Sequence, residues 1–183
     1  MELIKQNTQS QIIKSLLVIF FSSIILAISA KIKIPFYPVP MTMQTFVVLF
    51  LGISFGYKIA IATVGLYLIE GIAGIPVFSN SPERGVGLIY FTGPTMGYLL
   101  GFMSACFLAS FITTKDNYFM ILSKLILSVS TIYILGVVWL GILIGWDKPL
   151  IGLGVTPFLL AEFTKIALLT VLAKKLLKLR KFI

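Results

Sequence analysis

The chain has 183 residues, of which 58% are hydrophobic and only 11% charged. About a quarter of a soluble domain is charged, so this polar surface is too small to cover a water-soluble globule, and a helical membrane protein is expected. The net charge of +9 does not point to nucleic acid, because five of the fifteen basic residues crowd into the last ten positions, as a membrane anchor would. The absence of histidine and the single Cys106 argue against a zinc, haem or Cys–His site and rule out a disulfide within the chain.

After a polar start, residues 1–10, which are expected either to fray or to lie at the interface, helix 1 is predicted over about 12–30. Its Ser22, Ser23, Ala27 and Ala30 are small residues at contact spacing, suited either to packing within the chain or to docking a partner subunit. Lys31-Ile-Lys-Ile-Pro-Phe-Tyr-Pro-Val-Pro40 cannot be helical, yet it is apolar and aromatic, as an ordered lid against the membrane face would be. Thr42 is read as the cap of a short helix 2, about 43–55, which carries Gln44 and ends at a tight turn, Gly56-Tyr-Lys58. Helix 3, about 58–73, contains Glu70 near its end, where a structural role is favoured.

Gly71-Ile-Ala-Gly-Ile-Pro-Val-Phe78 breaks that helix. A long loop to Pro94 follows and carries Asn80, Glu83, Arg84 and Tyr90. Loops of this length are usually functional or disordered, and the apolar second half argues for order. Helix 4, about 95–113, has Gly97, Gly101, Ser104 and Ala105 as close-packing positions and Tyr98 near its start. Helix 5 runs over about 118–145, with Lys124 able to snorkel and Trp139 and Trp146 fitting an aromatic belt. Hydropathy alone would start helix 6 near Leu150, but Thr156-Pro157 reads as a cap followed by a first-turn proline, giving about 157–175.

Helix 6 contains Glu162 and Lys165, two ionisable groups on one helical face inside an apolar run. A charge in the bilayer costs about 2.5–3.5 kcal/mol on insertion scales. Either the two neutralise each other or they meet a polar group arriving from outside. With six helices and both termini cytoplasmic, nine basic residues lie inside and four outside, so the positive-inside rule favours N-in, C-in. The lid, the long loop and the start of helix 6 then share the outer face. There Gln44, Asn80, Arg84, Tyr90, Tyr98, Glu162 and Lys165 suit a small amphipathic ligand. Enzyme readings fare poorly: there is no histidine, both aspartates lie in turns, and no phosphate loop is present. Active transport would therefore need a partner or an ion gradient, and no inverted repeat suggests a self-sufficient carrier.

Three stretches, Pro38-Val-Pro-Met-Thr-Met-Gln-Thr-Phe46, Leu66-Tyr-Leu-Ile-Glu-Gly-Ile-Ala-Gly-Ile-Pro-Val-Phe78 and Thr92-Gly-Pro-Thr-Met-Gly-Tyr-Leu-Leu-Gly-Phe102, resemble the BioY family and follow its order. These are the biotin-binding S components of energy-coupling factor (ECF) transporters. The resemblance implies an all-α, six-helix integral membrane protein of the bacterial cytoplasmic membrane, without a cofactor. It would bind biotin from outside and work with a transmembrane coupling subunit and two ATPase subunits. It further implies that Glu162 and Lys165 match the family's acidic-x-x-Lys motif, more often Asp at its first position, and hold the ureido ring. Asn80 would be a loop contact, and Ser23 with Ala27 would stand for the family's small-residue docking pair. Other expectations compatible with the residues are an S component for another small vitamin, a solitary small-solute carrier, or a membrane protein without ligand.

Overall fold

The computed structural model describes residues 2–182, with side chains described for residues 9–181. Helix α1 (Glu2–Lys31) leads into a two-residue hairpin, β1 (Lys33–Ile34) and β2 (Met41–Thr42), followed by α2 (Gln44–Ile72), α3 (Leu88–Phe91), α4 (Met96–Ala109), α5 (Tyr118–Ile144), α6 (Leu150–Gly154), a 3-10 turn (Thr156–Phe158), α7 (Leu159–Leu176) and a 3-10 tail (Leu177–Phe182). Among the described residues four helical spans are long and apolar enough to cross a membrane: Gln9–Lys31, Gln44–Ile72, Tyr118–Ile144 and Leu150–Lys181. Met96–Ala109 is a shorter apolar helix. Large apolar side chains such as Phe20, Ile134, Ile142, Phe163 and Val171 face outward, as lipid solvent allows.

The 29-residue α2 is not one rod. Gly56 sits at φ 77°, ψ 175°, outside helical geometry and in a region that favours glycine. Gln44 Nε2 donates to Tyr67 Oη at 2.7 Å. In a straight helix the 23 intervening steps would separate these residues by roughly 35 Å, so the chain doubles back at Gly56 into two short antiparallel helices. The tight turn read from Gly56-Tyr-Lys58 is thus where the reversal occurs.

Glycine permits the closest helix contact. A Cβ on Gly101 would lie 2.6 Å from Ile132 Cα, and one on Gly97 would collide with Leu135 O, so α4 and α5 meet backbone to backbone. Tyr98 fills the space left at Gly136 and donates from Oη to Gly154 O at 2.9 Å, holding α6 against α4. At the opposite pole Arg180 donates to Ile53 O (2.8 Å), Gly52 O (3.1 Å) and Ser110 O (2.7 Å). It thereby ties the tail to the carbonyl-rich ends of the first half of α2 and of α4. Lys124 does reach back along its helix, bonding Asp116 Oδ2 at 2.6 Å and Phe111 O at 2.9 Å.

Several sequence expectations need correction. α1 begins at Glu2 rather than near residue 12. α4 ends at Ala109, not 113, and the chain turns at Ser110. The last helix takes up both proposed starts: α6 begins at Leu150, Val155 breaks it, and α7 begins after the Thr156–Phe158 turn. Thr156 is not the cap, since its Oγ1 donates back to Ile151 O. Met43 is the cap residue of α2, while the Thr42 hydroxyl accepts from the Gln44 amide at 3.3 Å. Trp139 is half-buried and donates to Gly93 O, leaving Trp146 as the exposed aromatic.

Candidate functional site

The Pro-rich segment, the loop after α2, the starts of α2, α4 and α7, and the middle of α5 enclose a cavity at the pole opposite Arg180. Its cover is Val39, Pro40 and Met41; its walls are largely aromatic, from Tyr90, Tyr98, Phe102, Tyr133 and Phe158. Polar groups are few: Thr42, Gln44, Thr45, Ser79, Thr95 and Glu162. The cavity itself measures about 50 Å³, inside a cleft envelope of about 530 Å³ that includes its open mouth. Ligand pockets usually hold 300–1,000 Å³, so a vitamin-sized guest requires the cover or walls to move outward. Phe158 stacks on Tyr133 at 6.3 Å between centroids and meets Phe36 edge-on, which fixes the aromatic end of the cavity. A lateral groove of about 650 Å³ between α5 and α7 approaches Glu162 and Tyr133 from the outside of the bundle.

Glu162 and Lys165 lie on the first turns of α7, as the i, i+3 spacing requires, and both are buried, at 4% and 7% exposure. Lys165 Nζ donates to Glu162 Oε1 at 2.7 Å, to Thr45 Oγ1 at 2.9 Å and to Thr42 O at 2.6 Å. Thr45 Oγ1 donates to the same Oε1 at 2.7 Å. The second carboxylate oxygen, Oε2, is buried and has no hydrogen-bond partner among the described residues. Self-neutralisation is therefore what the pair does, and one oxygen is left over. Lys165 does not line the central cavity; it borders a separate space of about 240 Å³ beside the hairpin, with Lys33 and Thr164.

The other expected site residues divide in two. Gln44, Tyr90 and Tyr98 line the cavity, but their polar atoms are engaged within the protein: Gln44 with Tyr67 and Thr42, Tyr90 Oη with Ser79 Oγ at 3.2 Å, and Tyr98 Oη with Gly154 O. Asn80 and Arg84 do not line it. Asn80 Oδ1 accepts from Lys33 Nζ at 2.8 Å, and Arg84 donates to Pro38 O at 2.8 Å. Together with Lys31, which donates to Phe78 O and Ser81 O, they stitch the loop to the Pro-rich segment. The small-residue pair on α1 is also turned inward. Ser23 is fully buried and donates to Glu70 Oε1 at 2.9 Å, and Ala27 is half-buried against the core. In this arrangement Ser23 serves the α1–α2 contact, and Glu70 has the structural role expected of it. Thr45 was missed: one threonine beside a helix start looks like local capping, and only its place next to Gln44 in the first motif marked it.

The comparisons with known proteins bear on this site. A family model described as the BioY family matches residues 4–182. A protein of Pyrococcus horikoshii named probable biotin transporter BioY is 34% identical over 82% of this chain and 88% of its own length. The biotin transporter BioY of Thermotoga maritima is 31% identical over 85% of this chain and 90% of its own. The crystal structure of the S-component for biotin from an ECF-type ABC transporter superposes with a TM-score of 0.77 at 27% identity, covering 92% of this chain and 93% of that one. With nearly its whole length matched, and a bundle whose charged pair, aromatic cavity and cover converge at one pole, the chain belongs to the BioY family.

Proposed function

We propose that the chain is the substrate-binding membrane subunit, the S component, of an ECF-type transporter that imports biotin. The observation that carries this reading within the family is Glu162 Oε2, an unpartnered buried carboxylate oxygen on a residue in the wall of an aromatic cavity. Leaving such an oxygen unbonded costs about 1–3 kcal/mol, and more when charged. A ureido N–H is a donor of the right kind for it, while the fused rings and aliphatic chain of biotin suit the aromatic walls. Lys165 acts as the partner of the carboxylate, 2.7 Å from its Oε1. Gln44, Tyr90 and Tyr98 shape the wall, and Asn80 and Arg84 come within the ligand's reach when the stitch to the Pro-rich segment loosens.

The remaining features of the reading are finer. Six membrane crossings correspond to α1, the two halves of α2, α4, α5 and α6–α7, supported by the reversal at Gly56. The basic-residue count supports N-in, C-in, with the cavity outward in the bacterial cytoplasmic membrane. The partners are a transmembrane coupling subunit and two ATPases, reached through α1 on a face that includes Ala27; Ser23 joins it only if its bond to Glu70 is given up. Equilibrium binding of labelled biotin to the purified chain tests the central claim. Saturable binding that is lost in Glu162→Gln is expected, and binding that survives this change unaltered would remove the site. Ligand should also raise the unfolding temperature in proportion to RT ln(1 + [L]/Kd).

A further inference from the structure

We infer that Thr45 is a positioning residue that fixes the orientation of the Glu162 carboxylate and so keeps one of its oxygens free for ligand. The inference rests on the reading of Glu162 as the ligand acceptor and adds the device that aims it. Thr45 is the second residue of α2, 9% exposed, and its hydroxyl lies between the two charged groups of α7, 2.7 Å from Glu162 Oε1 and 2.9 Å from Lys165 Nζ. A hydroxyl has one hydrogen to donate, and an ammonium group can only donate. The Thr45 hydrogen therefore goes to Glu162, and the Thr45 lone pair takes the Lys165 hydrogen. No other assignment satisfies both contacts.

The consequence runs through the whole cluster. Lys165 has three hydrogens and three acceptors: Thr42 O, Thr45 Oγ1 and Glu162 Oε1. Oε1 receives two donors, one from Lys165 and one from Thr45. Oε2 is the one side-chain polar atom of the cluster left with no partner among the described residues. Two donors from different directions, one on α2 and one on α7, stop the carboxylate from rotating about its terminal bond. With Lys165 alone the carboxylate plane could tilt about that bond and carry the free oxygen off its direction. In this arrangement all three Lys165 hydrogens are taken within the protein.

The test compares two ligands on the purified chain: biotin, and an analogue with both ureido nitrogens methylated, which cannot donate to Oε2. Wild type should prefer biotin strongly. In Thr45→Val, which keeps the side-chain shape but removes the hydroxyl, biotin should bind roughly 10- to 100-fold more weakly, the range for a bond to a charged group. The analogue should change little, so the preference collapses. Thr45→Ser should restore most of it. If Thr45→Val does not fold, Thr45→Ser against Thr45→Cys makes the same comparison between a good donor and a poor one. Equal weakening of both ligands, an unchanged preference, or Thr45→Ser behaving like Thr45→Val would each overturn the positioning role. Failure of the underlying site looks different: wild type would not bind biotin, or Glu162→Gln would bind it normally.

Discussion

Replacing Lys165 by methionine isolates the electrostatics of the buried pair. Methionine keeps most of the stem and removes the ammonium. Three hydrogen bonds go with it, those to Thr42 O, Thr45 Oγ1 and Glu162 Oε1, all between 2.6 and 2.9 Å. Glu162, 4% exposed, then keeps only the Thr45 hydroxyl as a donor. Breaking a buried pair from one side costs about 3–5 kcal/mol, because the surviving charge has neither water nor counter-ion. For a chain of this size each kcal/mol lowers the unfolding temperature by about 2–4 °C. Lys165→Met should therefore unfold roughly 6–20 °C below wild type when the purified chain is heated in detergent micelles. Adding Glu162→Gln removes the stranded charge and should recover a large part of that loss without restoring biotin binding. A Lys165→Met protein that melts with wild type would refute the reasoning. So would a double variant no more stable than the single one, since the cost would then come from packing and not from an uncompensated carboxylate.

Three further outcomes follow from the packing and from the far pole. Gly101→Ala should destabilise by about 1–3 kcal/mol, because its Cβ would meet Ile132 Cα at 2.6 Å, whereas Gly65→Ala, with open space around it, should be neutral or slightly stabilising; thermal unfolding of the two variants side by side checks this. Arg180→Met leaves the carbonyls of Gly52, Ile53 and Ser110 without their shared donor and should cost about 1–3 kcal/mol, read as a lower unfolding temperature with increased proteolysis of the tail. At Asp116, burial alone would raise the carboxyl, but the bond from Lys124 and the Thr113 amide outweigh it and hold the group below the usual carboxylate range. Its contribution is present above the unfolded value of about 3.9 and is lost as pH falls through the lower folded value. The stability gap between wild type and Asp116→Asn should stay constant above about pH 5 and shrink below about pH 4.

How far the sequence reveals such a molecule depends on the range of the interaction. The turn at Gly56 is legible because a glycine followed by Tyr-Lys interrupts an apolar run, and the structure reverses the chain there. Lys124 reads as snorkelling because its stem length and helix position already constrain it; only the acceptor, Asp116, comes from the fold. Arg180 behaves in the opposite way. In composition it is one more member of a basic tail, yet its guanidinium caps helix ends 70 and more residues away. Asn80 and Arg84 stand out as polar residues in a long loop, but that Lys33 and the Pro38 carbonyl, some 46 residues earlier, hold them off the cavity comes only from the fold. The end of α4 is misplaced for a related reason: Phe111 and Ile112 continue the hydropathy, and the halt comes from the turn that Asp116, Lys124 and Arg180 build around residues 110–116.

The same contrast explains why the Pro-rich segment has to be non-helical. A helix gives its carbonyls to its own amides, so a buried ammonium can find main-chain acceptors only where the backbone is irregular or at a helix end. Lys165 meets that need at Thr42 O, on β2, just before α2 begins. The prolines that keep residues 35–40 from extending α1 therefore do more than form a cover over the cavity. They leave a carbonyl free for the ammonium, at 2.6 Å, while Pro40 and Met41 beside it line the cavity. Any outward swing of β2 that widens the 50 Å³ space pulls this acceptor away from Lys165. Such a swing would cost Lys165 one of its three acceptors, while its bonds to Glu162 on α7 and Thr45 on α2 do not involve β2.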